Sequence, residues 1–154
     1  MKKNENGRSM VEMLGVLAII GVLSVAGIAG YTMAMRKYRA NEIAQAVSMT
    51  AMLARSARGG QGIHDANGNG VTYQTLSGQN DPTGVAAAGP ITANVDASGD
   101  FDNTISLQLT DNALCLAVEN IFGTTANSAL YVDPNTAADH CGNAGVALTV
   151  TVHP

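Results

Sequence analysis

Polar and apolar positions are segregated along this chain. A short polar stretch containing Lys2, Lys3, Asn4, Glu5 and Asn6 comes first, and from Met13 to Met35 there follow 23 residues without Asp, Glu, Lys, Arg or His. At about 1.5 Å per helical residue this run reaches roughly 34 Å, enough for a hydrocarbon core of about 30 Å. A secretory signal has a shorter apolar region and a small-residue cleavage site; here the run is longer and leads into Arg36, Lys37, Tyr38 and Arg39. The pattern predicts a membrane-spanning helix. A core helix of a soluble protein is the alternative, and the concentration of apolar residues at one end of the chain speaks against it.

The periodicity then changes. Ile43, Val47, Ala51 and Ala54 recur at four, four and three residues, one apolar stripe of an amphipathic helix. Arg39, Glu42, Arg55 and Arg58 are predicted to face water, and Gly59-Gly60 to stop the helix. One helix from about Ser9 to Arg58 is therefore expected, roughly 75 Å long. Gly15, Gly21, Gly27 and Gly30 lie in its apolar half; with no proline in the segment, any bend is expected at Gly27 or Gly30.

Beyond Gly60 the chain is rich in Gly, Asn, Asp and Thr. "VTYQT" (71–75) and "ITANV" (91–95) are weak strand signals, "ISLQL" (105–109) alternates well, and "SALYV" (128–132) and "VALTVTV" (146–152) are the clearest strands. "DNALCLAVENIFG" (111–123) reads as a short helix with Asp111 as cap, Gly123 as stop, and Leu114, Ala117, Val118, Ile121 and Phe122 as its stripe. The expected fold class is α+β: a long N-terminal helix, half hydrophobic and half amphipathic, packed on a small antiparallel sheet in a head formed by residues 59–154.

Glu12 is the costly residue. A carboxylate within a membrane span costs about 2.5–3.5 kcal/mol near the helix centre and less near an end. An acid in the first helical turn also suits the positive end of the helix dipole. The residues before it add a second reading. "MKKNENG" carries two lysines and ends at Gly7, five residues counted inclusively run from Arg8 to Glu12, and the apolar helix follows. This arrangement resembles the class III signal of type IV pilins and type II secretion pseudopilins over roughly residues 1–45. The resemblance implies a leader of residues 1–7 removed by a prepilin peptidase after Gly7, N-methylation of Arg8, and a long helix over residues 8–58 whose part 13–35 lies in the inner membrane or a filament core. It also implies that Glu12 serves subunit assembly, pairing with the new α-amine of a neighbouring copy. Arg8 stands where the family usually has Phe, Met or Leu. The basic residues flanking the span nearly balance, Lys2, Lys3 and Arg8 before it and Arg36, Lys37 and Arg39 after it, so orientation with the leader in the cytoplasm and the head in the periplasm follows from the resemblance. The implied partners are other copies of the chain or related pilins, the peptidase and an inner-membrane assembly platform.

An exported head meets an oxidising compartment, where a pair of cysteines usually bonds. Cys115 and Cys141 are the chain's two cysteines, and a bond between them resembles the C-terminal disulfide loop of pilins. Two separate thiols, or a metal site with His140, are the alternatives; adjacent His140 and Cys141 do not match spaced ligand pairs. "DANGNG" (65–70) matches the first half of a calcium loop, but Leu76 occupies the twelfth position, and Asn-Gly pairs are turn signals in their own right. His64, His140 and His153 show no triad arrangement, and no phosphate-binding or nucleotide fingerprint is present. Neither a catalytic residue nor a cofactor is expected. The formal charge is −4, and removal of residues 1–7 takes away two Lys and one Glu to leave −5 on side chains. Such an acidic chain with four Tyr and two Phe argues against a general nucleic-acid surface. The resemblance thus implies a structural subunit of a surface type IV pilus. A periplasmic pseudopilus subunit, or a membrane-anchored binding module that uses the helix only as an anchor, remain as alternatives.

Overall fold

A computed structural model describes residues 9–83, 87–109, 111–124, 128–133, 141 and 147–153. In chain order it contains α1 (Ser9–Gly60), β1 (Val71–Thr72), α2 (Tyr73–Ser77), β2 (Ala87–Val95), β3 (Phe101–Leu109), α3 (Asn112–Phe122), β4 (Leu130–Tyr131) and β5 (Ala147–Val152). The strands form one antiparallel sheet in the order β1-β2-β3-β5-β4. The chain divides into two compact units, residues 1–35 and 36–154.

From residue 10 the first unit is helical and apolar around its whole circumference. From Met10 to Met33 every large hydrophobic side chain is exposed, with Ile20 at 53% the least and Met10 at 80% the most. An all-round apolar helix is a core element or a membrane span, and this is one helix long and apolar enough to cross a membrane. Two of its hydroxyls are satisfied internally: Ser24 Oγ donates to the Ile20 carbonyl at 2.8 Å and Thr32 Oγ1 to that of Ala29 at 2.9 Å. That is what a hydroxyl in hydrocarbon requires. Gly27 and Gly30 keep helical backbone angles; the non-helical residues inside α1 are Ala57, Arg58 and Gly59.

The second unit is built on the stripe. Ile43, Val47, Ala51 and Ala54 are all buried, and Ala40, Ala44 and Ala46 are buried with them. Five alanines in this set keep the helix surface low, so a sheet can lie close to it. Onto it come Ile105, Leu107 and Leu109 of β3, Leu148, Val150 and Val152 of β5, and Leu114, Val118 and Phe122 of α3, in a single cluster. The β3–β5 register sets Ile105 opposite Val150 and Leu107 opposite Leu148, so alternation on both strands delivers apolar residues to one face. Asp111 caps α3 by accepting from Ala113 N at 2.9 Å, and Gly123 follows its last turn.

Four local expectations are corrected. The segment 71–75 is strand only at Val71–Thr72; Thr72 caps α2, whose C-cap Gly78 is left-handed, so a cap-and-stop pair outweighs weak alternation. Strand β4 is two residues, shorter than the 128–132 signal. Regular helix in α1 ends before Arg58: Ala57 is extended, Arg58 and Gly59 have φ of 52° and 71°, and the carbonyls of Ala57 and Ala54 accept from Gly62 N and Ile63 N. The early exit drops Ile63, 4% exposed, against Ala54 and Ala93. Finally, Ile121 is 44% exposed, outside the buried stripe of α3.

The 65–70 segment is a turn closed by its own amides. Asp65 Oδ1 and Oδ2 accept from Asn67 N and Asn69 N, and the Asp65 carbonyl accepts from Gly68 N. Gly68 and Gly70 both have positive φ, but only at Gly70 would a Cβ collide, 2.6 Å from the Ala93 carbonyl oxygen. Gly68→Ala is therefore expected to cost about 1 kcal/mol and Gly70→Ala about 2 kcal/mol or more. Chemical denaturation of the mature protein checks this; equal losses would show that the close approach to β2 is unimportant.

Candidate functional site

The residues singled out for processing and assembly lie at the start of α1. Gly7 and Arg8 fall outside the described residues. Glu12 is exposed in the first turn of α1, where its carboxylate suits the helix dipole. It opens the surface on which Val11, Met13, Leu14, Val16 and Leu17 are each more than half exposed. A single carboxylate at the end of such a surface is a geometric marker. Any helix that packs there meets that carboxylate at one fixed position.

The two cysteines are joined. Cys115, 2% exposed on α3, is bonded to the half-buried Cys141 with Cα atoms 5.7 Å apart. The stripe of α3 turns Cys115 inward beside Leu114 and Val118, which places the link at the core rather than on the surface. His140 lies outside the described residues.

Where α1 enters the second unit, Arg36, Lys37, Tyr38 and Arg39 are exposed, and Arg36 Nε lies 3.6 Å from Asp111 Oδ2. Nineteen residues further along, Arg55 departs from expectation. It is half-buried, its guanidinium donating to Asn103 Oδ1 at 3.2 Å, to the Val152 carbonyl at 3.3 Å and to the His153 carbonyl. A signal was present: Arg55 follows Val47 and Ala51 at intervals of four, so it continues the buried stripe and carries its charge to carbonyls at the end of β5.

The remaining histidines contact neighbouring elements. His64 Nδ1 sits 3.0 Å from Asp100 Oδ1, tying the chain after α1 to the β2–β3 turn, and His153 stacks at a tilt beside Tyr131. Among the described residues, no group of three or more His, Cys, Asp or Glu side chains is placed to hold a metal ion. An open groove of about 580 Å³ runs beside α1 and is lined by Ala44, Ser48, Met49, Ile121 and Leu130. Among the described residues its walls hold no titratable side chain, and Ser48 Oγ is already committed to the Ala44 carbonyl at 2.9 Å.

Against family models, curated proteins and solved structures, the chain gives no match.

Proposed function

We propose that this chain is a pilin-like subunit, made as an inner-membrane precursor, cleaved after Gly7 and assembled through α1 into a type IV pilus-like filament. The observation that carries the reading is Glu12 in the first turn of a helix that is apolar on every side. In a lone anchor, the circumference need only face lipid and no position requires a carboxylate. In a filament, the same circumference packs against other copies, and a charge at one fixed position sets their axial offset. The α-amine freed at Arg8 of the next copy supplies the cation. Prepilin peptidase, the assembly platform and other copies of the chain are then its partners, and its work is structural rather than catalytic.

The disulfide and the small antiparallel head support the same reading, and the link favours a surface pilus over a periplasmic pseudopilus. The sheet face and α3 cover the stripe of α1 from residue 40 onward, which leaves residues 10–34 for lipid or for neighbouring helices.

Processing provides the test. Assembled protein is expected to begin at Arg8, and Gly7→Val to leave full-length precursor in the membrane, checked by terminal sequencing and intact mass. Assembled protein that retains Met1, or that is cut near Gly30, would overturn the proposal in favour of a plain anchor.

A further inference from the structure

The second unit carries a basic cluster at its start, beside Asp111, and an acidic cluster further along α1. Arg36, Lys37 and Arg39 are exposed where it begins. From residue 40 onward, ten Asp and Glu side chains stand against only Arg55 and Arg58, a net of −8 without the histidines. Three of these carboxylates, Asp96, Asp100 and Asp102, are exposed together in the β2–β3 turn and at the start of β3.

Two contacts place that turn at the opposite end from the basic residues. Arg36 meets Asp111, two residues past β3, and Arg55 meets Asn103, near its start. The nineteen residue steps from Arg36 to Arg55 span about 28 Å of helix. From Asn103 to Leu109, strand β3 runs six residue steps, about 20 Å, toward Asp111, in the same sense as that span. At the acidic end, Arg55 is engaged by Asn103 and two carbonyls, and His64 touches Asp100. Arg58 is exposed in the same region, so the turn keeps an excess of negative charge.

We propose that the basic collar of one copy, Arg36, Lys37 and Arg39, docks on Asp96, Asp100 and Asp102 of a second copy. This rests on the filament reading for the assembly it serves, but the contact itself is between the second units of two copies. Collar-to-collar or turn-to-turn pairing sets like charges together, whereas collar-to-turn pairing sets opposite charges together. A contact between two different surfaces of one chain is heterologous, and when its rotation does not close it propagates as an open helix. Complementary charge of this kind steers encounter and fixes register. Anionic lipid headgroups could also meet a collar next to a span. The second copy is favoured because the complementary surface is present on every copy, at the far end of the same unit.

Lys37 makes the test specific, because it is the only lysine beyond Lys3. Isotope-labelled and unlabelled copies of the mature full chain are mixed, both in filaments and in reconstituted membranes, and joined with a zero-length carbodiimide. Mixed-label peptides linking Lys37 to Asp96, Asp100 or Asp102 are expected. Links to other carboxylates, links confined to one chain, or no links overturn the proposal.

In parallel, Lys37→Glu is expected to lower filament yield about tenfold, with recovery when Asp100→Lys is added. Loss of binding to phosphatidylglycerol vesicles with wild-type filament yield would assign the collar to lipid and also overturn the proposal. The expected links in membranes without any filaments would keep the docking contact and reject the filament reading. Filaments without the links would do the reverse, and absence of both rejects both.

Discussion

Glu12→Gln is expected to lower filament yield about a hundredfold or more while membrane level and cleavage after Gly7 stay as in the wild type. Glutamine keeps the size and most of the hydrogen bonding and removes only the charge. If the α-amine of Arg8 in the next copy is the partner, the change leaves a cation without its anion in an apolar interface, a loss of about 3–5 kcal/mol. Each 1.4 kcal/mol is about a factor of ten in an equilibrium constant, so even the lower figure gives about two decades. Insertion is not expected to suffer, because a carboxylate in a span costs free energy and its removal does not. The scissile bond after Gly7 is likewise unchanged. Arg8 adds a second cation next to the amine, so Arg8→Ala is the companion variant. It retains the amine, and it is expected to assemble if the amine is the partner. Counting subunits in filaments purified from cells that express both forms checks the result. Incorporation of Glu12→Gln at the wild-type frequency would reduce Glu12 to a first-turn acid worth about 0.3–1 kcal/mol to the helix.

The head was legible wherever burial and local signals pointed the same way. The stripe Ile43, Val47, Ala51, Ala54 is buried along its full length, and α3 starts and stops at its cap and glycine. Strands β3 and β5 alternate as written, because each buries one face only. Misreadings arose where a charge or a cap competed with the pattern. Arg55 was assigned to water by its charge, although its spacing belongs to the stripe and carbonyls at the end of β5 receive it. The helix α2 was read as strand because two caps decide five residues more firmly than alternation does. Ile121 was assigned to the core by period alone, and it forms a wall of the groove beside α1 instead. The exposed surface of residues 10–34 was legible as a span, while the proposed pairing of Glu12 is one between two copies.

Removing the disulfide is expected to destabilise the head by about 3–5 kcal/mol without affecting cleavage after Gly7. Cys115 and Cys141 are 26 residues apart, and closing a loop of that length accounts for about 3.5 kcal/mol in the chain-entropy model. Cys115 is also 2% exposed in the main core cluster, so its shortening to alanine adds a small packing loss. Against a total stability of about 5–15 kcal/mol, the change takes away a large fraction. Both cysteines must be replaced together, because a single substitution leaves a thiol free to pair between copies. Val118→Ala separates packing from the link. Val118 lies fully buried one turn along α3, and its loss is expected to cost about 1–2 kcal/mol whether or not the disulfide is intact. In reductant, the wild-type denaturation midpoint should fall close to that of the double variant, while Val118→Ala should lower both forms by a similar amount. A double variant within about 1 kcal/mol of the oxidised wild type would show that the loop is already constrained by the packing of α3 and β5, and that the link adds little to the folded head.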